Sequence, residues 1–366
     1  MSRLDRVRDL LDERRLDGVL VTHPANRFWL TGFPAEDHGP DESSGVVVVD
    51  REAATLFVSG TNEPWAAASA QPGVAVERWT HPWPTFVADR LVESGLRRVG
   101  FEEQALTVGD WTAIRDKAAD GVELVPLQGV LDQLRSVKES EEIDLLSRAI
   151  EITDAAFLAI RAELRPGMTE QAVAARIETL MREHGAQGPA FPTIVAAGSH
   201  AARPHHEPSE RPLAVGEPVV IDMGARFAGY CADLTRTICL GPPVEPFSSI
   251  YNIVLAAQEA ALGAIRAGMT GREVDAVGRD TIAAAGYGDH FIHGLGHGLG
   301  IKIHEAPSVG RSSDDVLQPG QVVTVEPGIY LKDWGGIRIE DVGVVTGDGL
   351  RNLTGAPKAL AAMINE

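Results

Sequence analysis

Four acids in this chain sit where apolar strands should end. The run Val219-Val220-Ile221-Asp222-Met223-Gly224 delivers one carboxylate, and Asp233 follows in Tyr230-Cys231-Ala232-Asp233-Leu234-Thr235-Arg236-Thr237. Further along, Val322-Val323-Thr324-Val325-Glu326-Pro327-Gly328 and Arg338-Ile339-Glu340-Asp341 repeat the pattern. An ionised carboxylate on a buried strand needs a partner, because an isolated charge is very costly to remove from water. A metal ion is the natural partner.

Histidines cluster in the same half of the chain. Gly294-Leu295-Gly296-His297-Gly298-Leu299-Gly300 puts one in a glycine-rich turn, with His293 just before it and His304 in Ile303-His304-Glu305. His205 and His206 lie in Arg203-Pro204-His205-His206-Glu207. Four acids and one imidazole make an oxygen-dominated set, suited to two divalent ions roughly 3.5–4 Å apart with acids bridging them. With no thiolate in the set, ligand hardness favours Mn²⁺, with Co²⁺, Zn²⁺ or Fe²⁺ as alternatives. Taken singly, each residue has a plainer reading: a strand-end Asp caps a turn, and a loop His is solvated. The glycine run lacks the full Gly-x-Gly-x-x-Gly spacing of a dinucleotide loop. No Gly-x-Ser-x-Gly elbow and no His-Glu-x-x-His helix occurs, which disfavours serine hydrolases and single-zinc helix sites.

An internal repeat turns these separate signals into one. Pro166-Gly167-Met168-Thr169 opens a helix, and Ala267-Gly268-Met269-Thr270 opens another 101 residues later. Sliding Leu213 to Gly224 forward by 104 lays Gly216 on Gly320, Val219 on Val323, Gly224 on Gly328 and Asp222 on Glu326. Two helix-then-strand halves about a pseudo-two-fold axis would bring the acids face to face. Before them, strands at Val19, Gly45 to Val49, Ala54 to Val58, Val74 to Trp79, Val99 to Glu102 and Val122 to Val125 alternate with helical patterns, as in an α/β layered domain. The segment Thr80-His81-Pro82-Trp83-Pro84 reads as a Pro-rich loop. A long helical stripe over Glu139 to Leu164 opens the second part, so the expected domains are residues 1–134 and 135–366.

Composition narrows the function classes. The 366 residues carry a net charge of -19, which argues against nucleic acid, whose phosphates call for a cationic face. Only Cys231 and Cys239 occur, so a disulfide framework is not expected and a reducing, cytoplasmic setting is. The charged N-terminus does not read as a signal peptide, and no run is long enough to span a membrane.

The order Asp222, Asp233, His297, Glu326, Glu340, in Ile-Asp-Met-Gly, Ala-Asp-Leu-Thr-Arg-Thr, His-Gly-Leu-Gly-His-Gly, Val-Glu-Pro-Gly and Arg-Ile-Glu-Asp, resembles the pita-bread metallopeptidases. Asn26-Arg27-Phe28-Trp29-Leu30-Thr31-Gly32-Phe33 is similar to the creatinase-type N-terminal domain, which points to the Xaa-Pro branch of prolidase and aminopeptidase P. The resemblance implies an α/β creatinase-like domain followed by an α+β pita-bread domain with the internal pseudo-two-fold repeat. It implies two metal ions: Asp222 on one, Asp233 and Glu340 bridging, His297 and Glu326 on the other. It implies attack by a hydroxide bridging the ions, with Glu326 as proton shuttle, and His205 and His304 holding the substrate carbonyl. His293 and Arg338 would contact substrate or orient ligands. The implied function is Xaa-Pro dipeptide hydrolysis, by a homodimer. Many prolidases carry an Arg after His-Glu-x-Pro that takes the dipeptide carboxylate; here that position is Ser308, which opens an alternative, aminopeptidase P-like action on longer peptides. A metal-free C–N hydrolase or a non-catalytic binder on the same fold is disfavoured by the complete ligand set.

Overall fold

The computed structural model describes residues 2–39 and 41–365. The chain divides into two compact units, Met1–Arg135 and Ser136–Glu366. In the first, α1 (Arg3–Arg14), β1 (Gly18–Val21), α2 (Pro24–Thr31), β2 (Gly45–Asp50), β3 (Ala54–Val58), α3 (Glu63–Ser69), β4 (Ala75–Arg78), α4 (Trp83–Glu93), β5 (Arg98–Phe101), α5 (Val108–Ala118), β6 (Glu123–Pro126) and α6 (Val130–Ser136) follow in order. The strands form one sheet in the order β4-β3-β2-β1-β5-β6. The uninterrupted apolar runs Gly-Val-Leu-Val and Val-Val-Val-Val sit in its middle and are buried, as strands covered on both faces must be. The polar-alternating β4 and β6 take the edges, where a hydrophobic strand would invite aggregation.

The Pro-rich segment is not a loop to its end. Pro82 is the N-cap of α4, and Trp83 and Pro84 form its first turn, with Pro84 buried. Proline fits there because the first turn's N–H groups have no intrahelical partner.

The second unit repeats itself. Helices α7 (Ser140–Glu163) and α8 (Glu170–Glu183) precede β7 (Gly188–Pro189), β8 (Ile194–Ala197), β9 (Pro218–Met223), β10 (Ala225–Phe227), β11 (Tyr230–Cys231) and β12 (Leu234–Leu240). Then α9 (Phe247–Ala264) and α10 (Gly271–Ala284) precede β13 (Gly296–Gly298), β14 (Glu305–Val309), β15 (Val322–Val325), β16 (Gly328–Leu331), β17 (Gly335–Arg338), β18 (Asp341–Val345), β19 (Leu350–Asn352) and β20 (Ile364–Asn365). The main sheets run β20-β12-β9-β8 and β14-β13-β15-β18-β19.

The same backbone bonds recur in both halves. Gly167 N–H donates to the Leu213 carbonyl and Leu213 N–H to Met168; Gly268 does so to Leu317, and Leu317 to Met269. The mates Gly216 and Gly320 both take left-handed φ, 85° and 89°, a region that suits glycine because it lacks Cβ. Among the described residues no helix is long and apolar enough to cross a membrane.

Candidate metal centre

Each half contributes an antiparallel strand pair, and each pair contributes two acids. In the first, Asp222 lies on β9 opposite Thr235, and Asp233 directly precedes β12. In the second, Glu326 directly follows β15 and Glu340 directly precedes β18, where Val325 pairs with Asp341. The antiparallel register therefore brings the end of one strand beside the start of its partner, and the acids gather there. His297 arrives from β13, which pairs with β15. All five line one cavity of about 520 Å³, together with His205, His293, His304, Ser308 and Arg338.

His297 is in a strand, not a turn. None of Gly296, Gly298 and Gly300 has a left-handed φ; the glycines are there for close approach. A Cβ at Gly296 would stand 2.1 Å from the Thr324 carbonyl oxygen, and one at Gly298 2.1 Å from that of Ala306.

The electrostatics call for a cation. The His297 Nδ1 lies 3.0 Å from the Gly298 carbonyl, which fixes the proton on Nδ1 and leaves Nε2 as a bare lone pair. That Nε2 faces Glu326 Oε1 at 3.3 Å and Asp233 Oδ2 at 3.6 Å. Acceptors facing one another need positive charge between them. Asp222 Oδ1 and Glu340 Oε1 are buried with no hydrogen-bond donor, and an unsatisfied buried acceptor is costly. Asp233, His297 and Glu340 each present a ligand atom within 4.8 Å of the others. Burial first, and then the neighbouring acids, push the Asp233 and Glu340 carboxyls well above their ordinary range. Burial raises Glu326 to about 8, against the opposing pull of Arg338. Hard oxygens left without donors beside one imidazole nitrogen suit a divalent ion.

The sequence did not single out Thr235, Tyr330, Thr324 or Glu170, and the first three complete the frame of the centre together with Arg338. Arg338 is buried and spends its guanidinium inside the protein: Nη2 to Asp222 at 2.6 Å, Nε to Thr235 Oγ1 at 3.0 Å, Nη1 to Tyr330 Oη at 2.9 Å. The Thr235 hydroxyl in turn donates a hydrogen bond to Glu340 Oε2 at 2.8 Å. Tyr330 Oη lies 2.9 Å from His293 Nε2, while His293 Nδ1 lies 2.8 Å from the Gly294 carbonyl. Thr324 Oγ1 accepts from the His297 N–H and donates to Glu326 Oε1 at 3.3 Å. Burial holds His293 neutral, its pKa down to about 4. Both its nitrogens being engaged, His293 is tied into the frame. Tyr330, Thr235 and Thr324 look like ordinary strand residues in the sequence; only the fold shows that their hydroxyls meet ligands. The fourth, Glu170, is taken up below.

His205 and His304 are exposed in the cavity, with the His304 ring 4.4 Å from that of His297, edge to face. Arg311, close in sequence to Ser308, is exposed and directs Nη2 to the Phe291 carbonyl at 3.2 Å.

Against this geometry the matches to known proteins are specific. Residues 144–347 match the model of metallopeptidase family M24, and residues 3–137 match the creatinase/prolidase N-terminal domain. The chain belongs to metallopeptidase family M24. Relatives align over nearly its whole length. An Xaa-Pro dipeptidase of Pyrococcus furiosus is 36% identical, over 98% of this chain and 99% of that one. The solved Xaa-Pro dipeptidase from Bacillus anthracis superposes with a TM-score of 0.91 at 39% identity, covering 99% and 98% of the two chains. An X-Pro aminopeptidase from Thermotoga maritima gives 0.88 at 31%, covering 100% and 99%. The second unit is the pita-bread catalytic fold of M24 and the first its creatinase-like companion.

Proposed function

We propose that this chain is a metal-dependent exopeptidase that hydrolyses the Xaa-Pro bond of dipeptides. One observation carries the reading: two repeated strand pairs deliver Asp222, Asp233, Glu326 and Glu340 to one cavity beside His297, with carboxylate oxygens left without donors. Full-length relatives with Xaa-Pro peptidase names support it. The proposed domains are residues 1–134 and 135–366.

In this reading Asp222, Asp233, His297, Glu326 and Glu340 hold two divalent cations, Mn²⁺ first by ligand hardness. Such ions, when bound, acidify the attacking water and polarise the scissile carbonyl. Glu326 takes the proton of that water and hands it to the leaving nitrogen. The imide nitrogen of proline has no hydrogen of its own, so the proton must arrive as the bond breaks. His205 and His304, exposed in the same cavity, donate to the carbonyl oxygen as charge develops on it. Arg338 orients Asp222, and His293 orients Arg338 through Tyr330, without either needing a free donor for substrate. With only two cysteines in the sequence, Cys231 and Cys239, no disulfide framework is expected, which supports a reducing, cytoplasmic setting. A homodimer is part of the same reading, and a solution mass decides it.

A second reading is favoured by Ser308, which lines the cavity and cannot pair with a carboxylate as a guanidinium would. It is cleavage before proline in longer peptides. Both are tested by stripping metal with a chelator, restoring Mn²⁺ and assaying Xaa-Pro dipeptides beside Xaa-Pro-Yaa tripeptides. Metal-dependent dipeptide cleavage is expected. Turnover of tripeptides alone moves the chain to the second reading, and no release from either sinks both. Glu326→Ala should lose at least about 100-fold in kcat.

A further inference from the structure

His205 stands exposed in the cavity on the segment 198–209, which follows β8 and holds a short 3₁₀ stretch but no α-helix or strand. Such a segment does not fix an imidazole by itself, and misplacement by an ångström costs heavily in catalysis. Its neighbour His206 turns the other way and is buried. His206 Nε2 lies 2.9 Å from Glu170 Oε2, and His200 Nδ1 lies 3.0 Å from Oε1. The Ala197 N–H donates to Oε1 at 2.8 Å. The Ser209 N–H and Oγ donate to Oε2 at 3.0 and 2.7 Å. One carboxylate with no exposed surface thus ties down four residues that bracket His205 on both sides. Burial alone would raise its pKa, but the bonds from Ser209, His206 and Ala197 outweigh that and hold it below the ordinary range.

We infer that Glu170 is the positioning residue for His205. The inference rests on the proposed contact of His205 with substrate. The internal repeat isolates the acid as a feature of this half alone. Glu170 opens α8 directly after its cap Thr169, and the matching position after Thr270 is Gly271. A Cβ at Gly271 would lie 2.1 Å from the Ser308 carbonyl oxygen, so the second half has no room for such a side chain. There the segment bearing His304 is anchored by its neighbour Glu305, ion-paired with Lys138 at 2.9 Å in full burial.

Glu170, His200 and His206 also lie close enough together to ligate a metal. Two backbone N–H groups and a hydroxyl already fill that carboxylate. N–H groups fixed in the backbone would face a cation with their positive ends, which argues for the hydrogen-bonded hub.

The test is a double-mutant cycle on the Mn²⁺-loaded full chain: Glu170→Gln, His205→Ala and both together, with kcat, KM and bound metal per chain. Glu170→Gln should lower kcat about 10- to 100-fold with little change in KM and the same metal content. Added to His205→Ala, it should cost less than about twofold, since coupled residues do not add. Equal loss in both backgrounds, or loss of a bound metal, overturns the inference. If Glu170→Gln does not fold, Ser209→Ala removes one donor to the hub and is read through the same cycle with a smaller loss. On the full chain loaded with diamagnetic Zn²⁺ in place of Mn²⁺, the imidazole NMR signals of His205, assigned from His205→Ala, give a readout free of substrate. They should shift and broaden in the hub variant while those of His304 hold. Unmoved His205 signals overturn positioning, whereas an inactive wild-type chain with moved signals overturns only the proposed activity.

Discussion

At the scale of single residues, the centre is an accumulation of like charge. Burial raises Asp233, Glu340 and Glu326, the last to about 8 from 4.5. A carboxyl whose pKa is raised by folding keeps a proton that the unfolded chain has lost, so stability falls as pH rises through that interval. Two other groups bound the window. His293, lowered to about 4 from 6.5, costs stability only as pH falls below 6.5. Glu102 in the first unit, raised to about 7 by burial, has spent most of its effect by pH 7. The slope between about pH 7 and about pH 8 therefore belongs to the centre. Calorimetry on metal-stripped protein should show Tm dropping across that range, and saturating Mn²⁺ should flatten it by replacing the protons. A metal-free Tm that stays level would mean the acids are not crowded as described. The acids were legible in the sequence because a carboxylate ending an apolar run is itself anomalous. Thr235, Thr324 and Tyr330 were not, since a hydroxyl on a strand is ordinary until its partner is known.

At the scale of elements, the glycine run around His297 is a packing device. The sequence suggests a turn, because glycine most often marks one. In the fold, β13 is squeezed between β14 and β15, and what the sequence cannot display is how close those backbones come. Gly296→Ala places a methyl 2.1 Å from the Thr324 carbonyl oxygen, which cannot swing aside as a side-chain tip would. β13 must move off β15, carrying His297 with it. We expect a loss of about 1–3 kcal/mol or more in stability and weaker Mn²⁺ binding by titration calorimetry. Gly263→Ala is the contrast. It sits exposed in α9 with nothing within 4 Å of its Cβ, so it should gain about 0.5–1 kcal/mol and leave metal affinity alone. Equal affinity in the two variants would show that the approach of β13 does not place His297.

At the scale of the molecule, much of the architecture was written in periodicities. The apolar runs of β1 and β2 marked the middle of a sheet, and the helix openings 101 residues apart, with the strands 104 apart, marked a duplication. What periodicity could not give is register: the pairing of Asp222 with Thr235 and of Val325 with Asp341 decides that four acids converge, and a slip of one residue would send them to the opposite face. That register also confines the centre. Each of the five proposed ligands, and the hydroxyls and guanidinium that orient them, comes from the unit Ser136–Glu366. An ion bound there stabilises the conformation that binds it, by about 2.7 kcal/mol at 100-fold excess over Kd. Hydrogen exchange with and without Mn²⁺ should therefore gain protection in β9, β12, β13, β15 and β18, where the ligands sit. Amides of the separate core on β1 and β2 should exchange at the same rate in both conditions. Equal gains in the two units would mean that the metal acts on more than the strands that hold it.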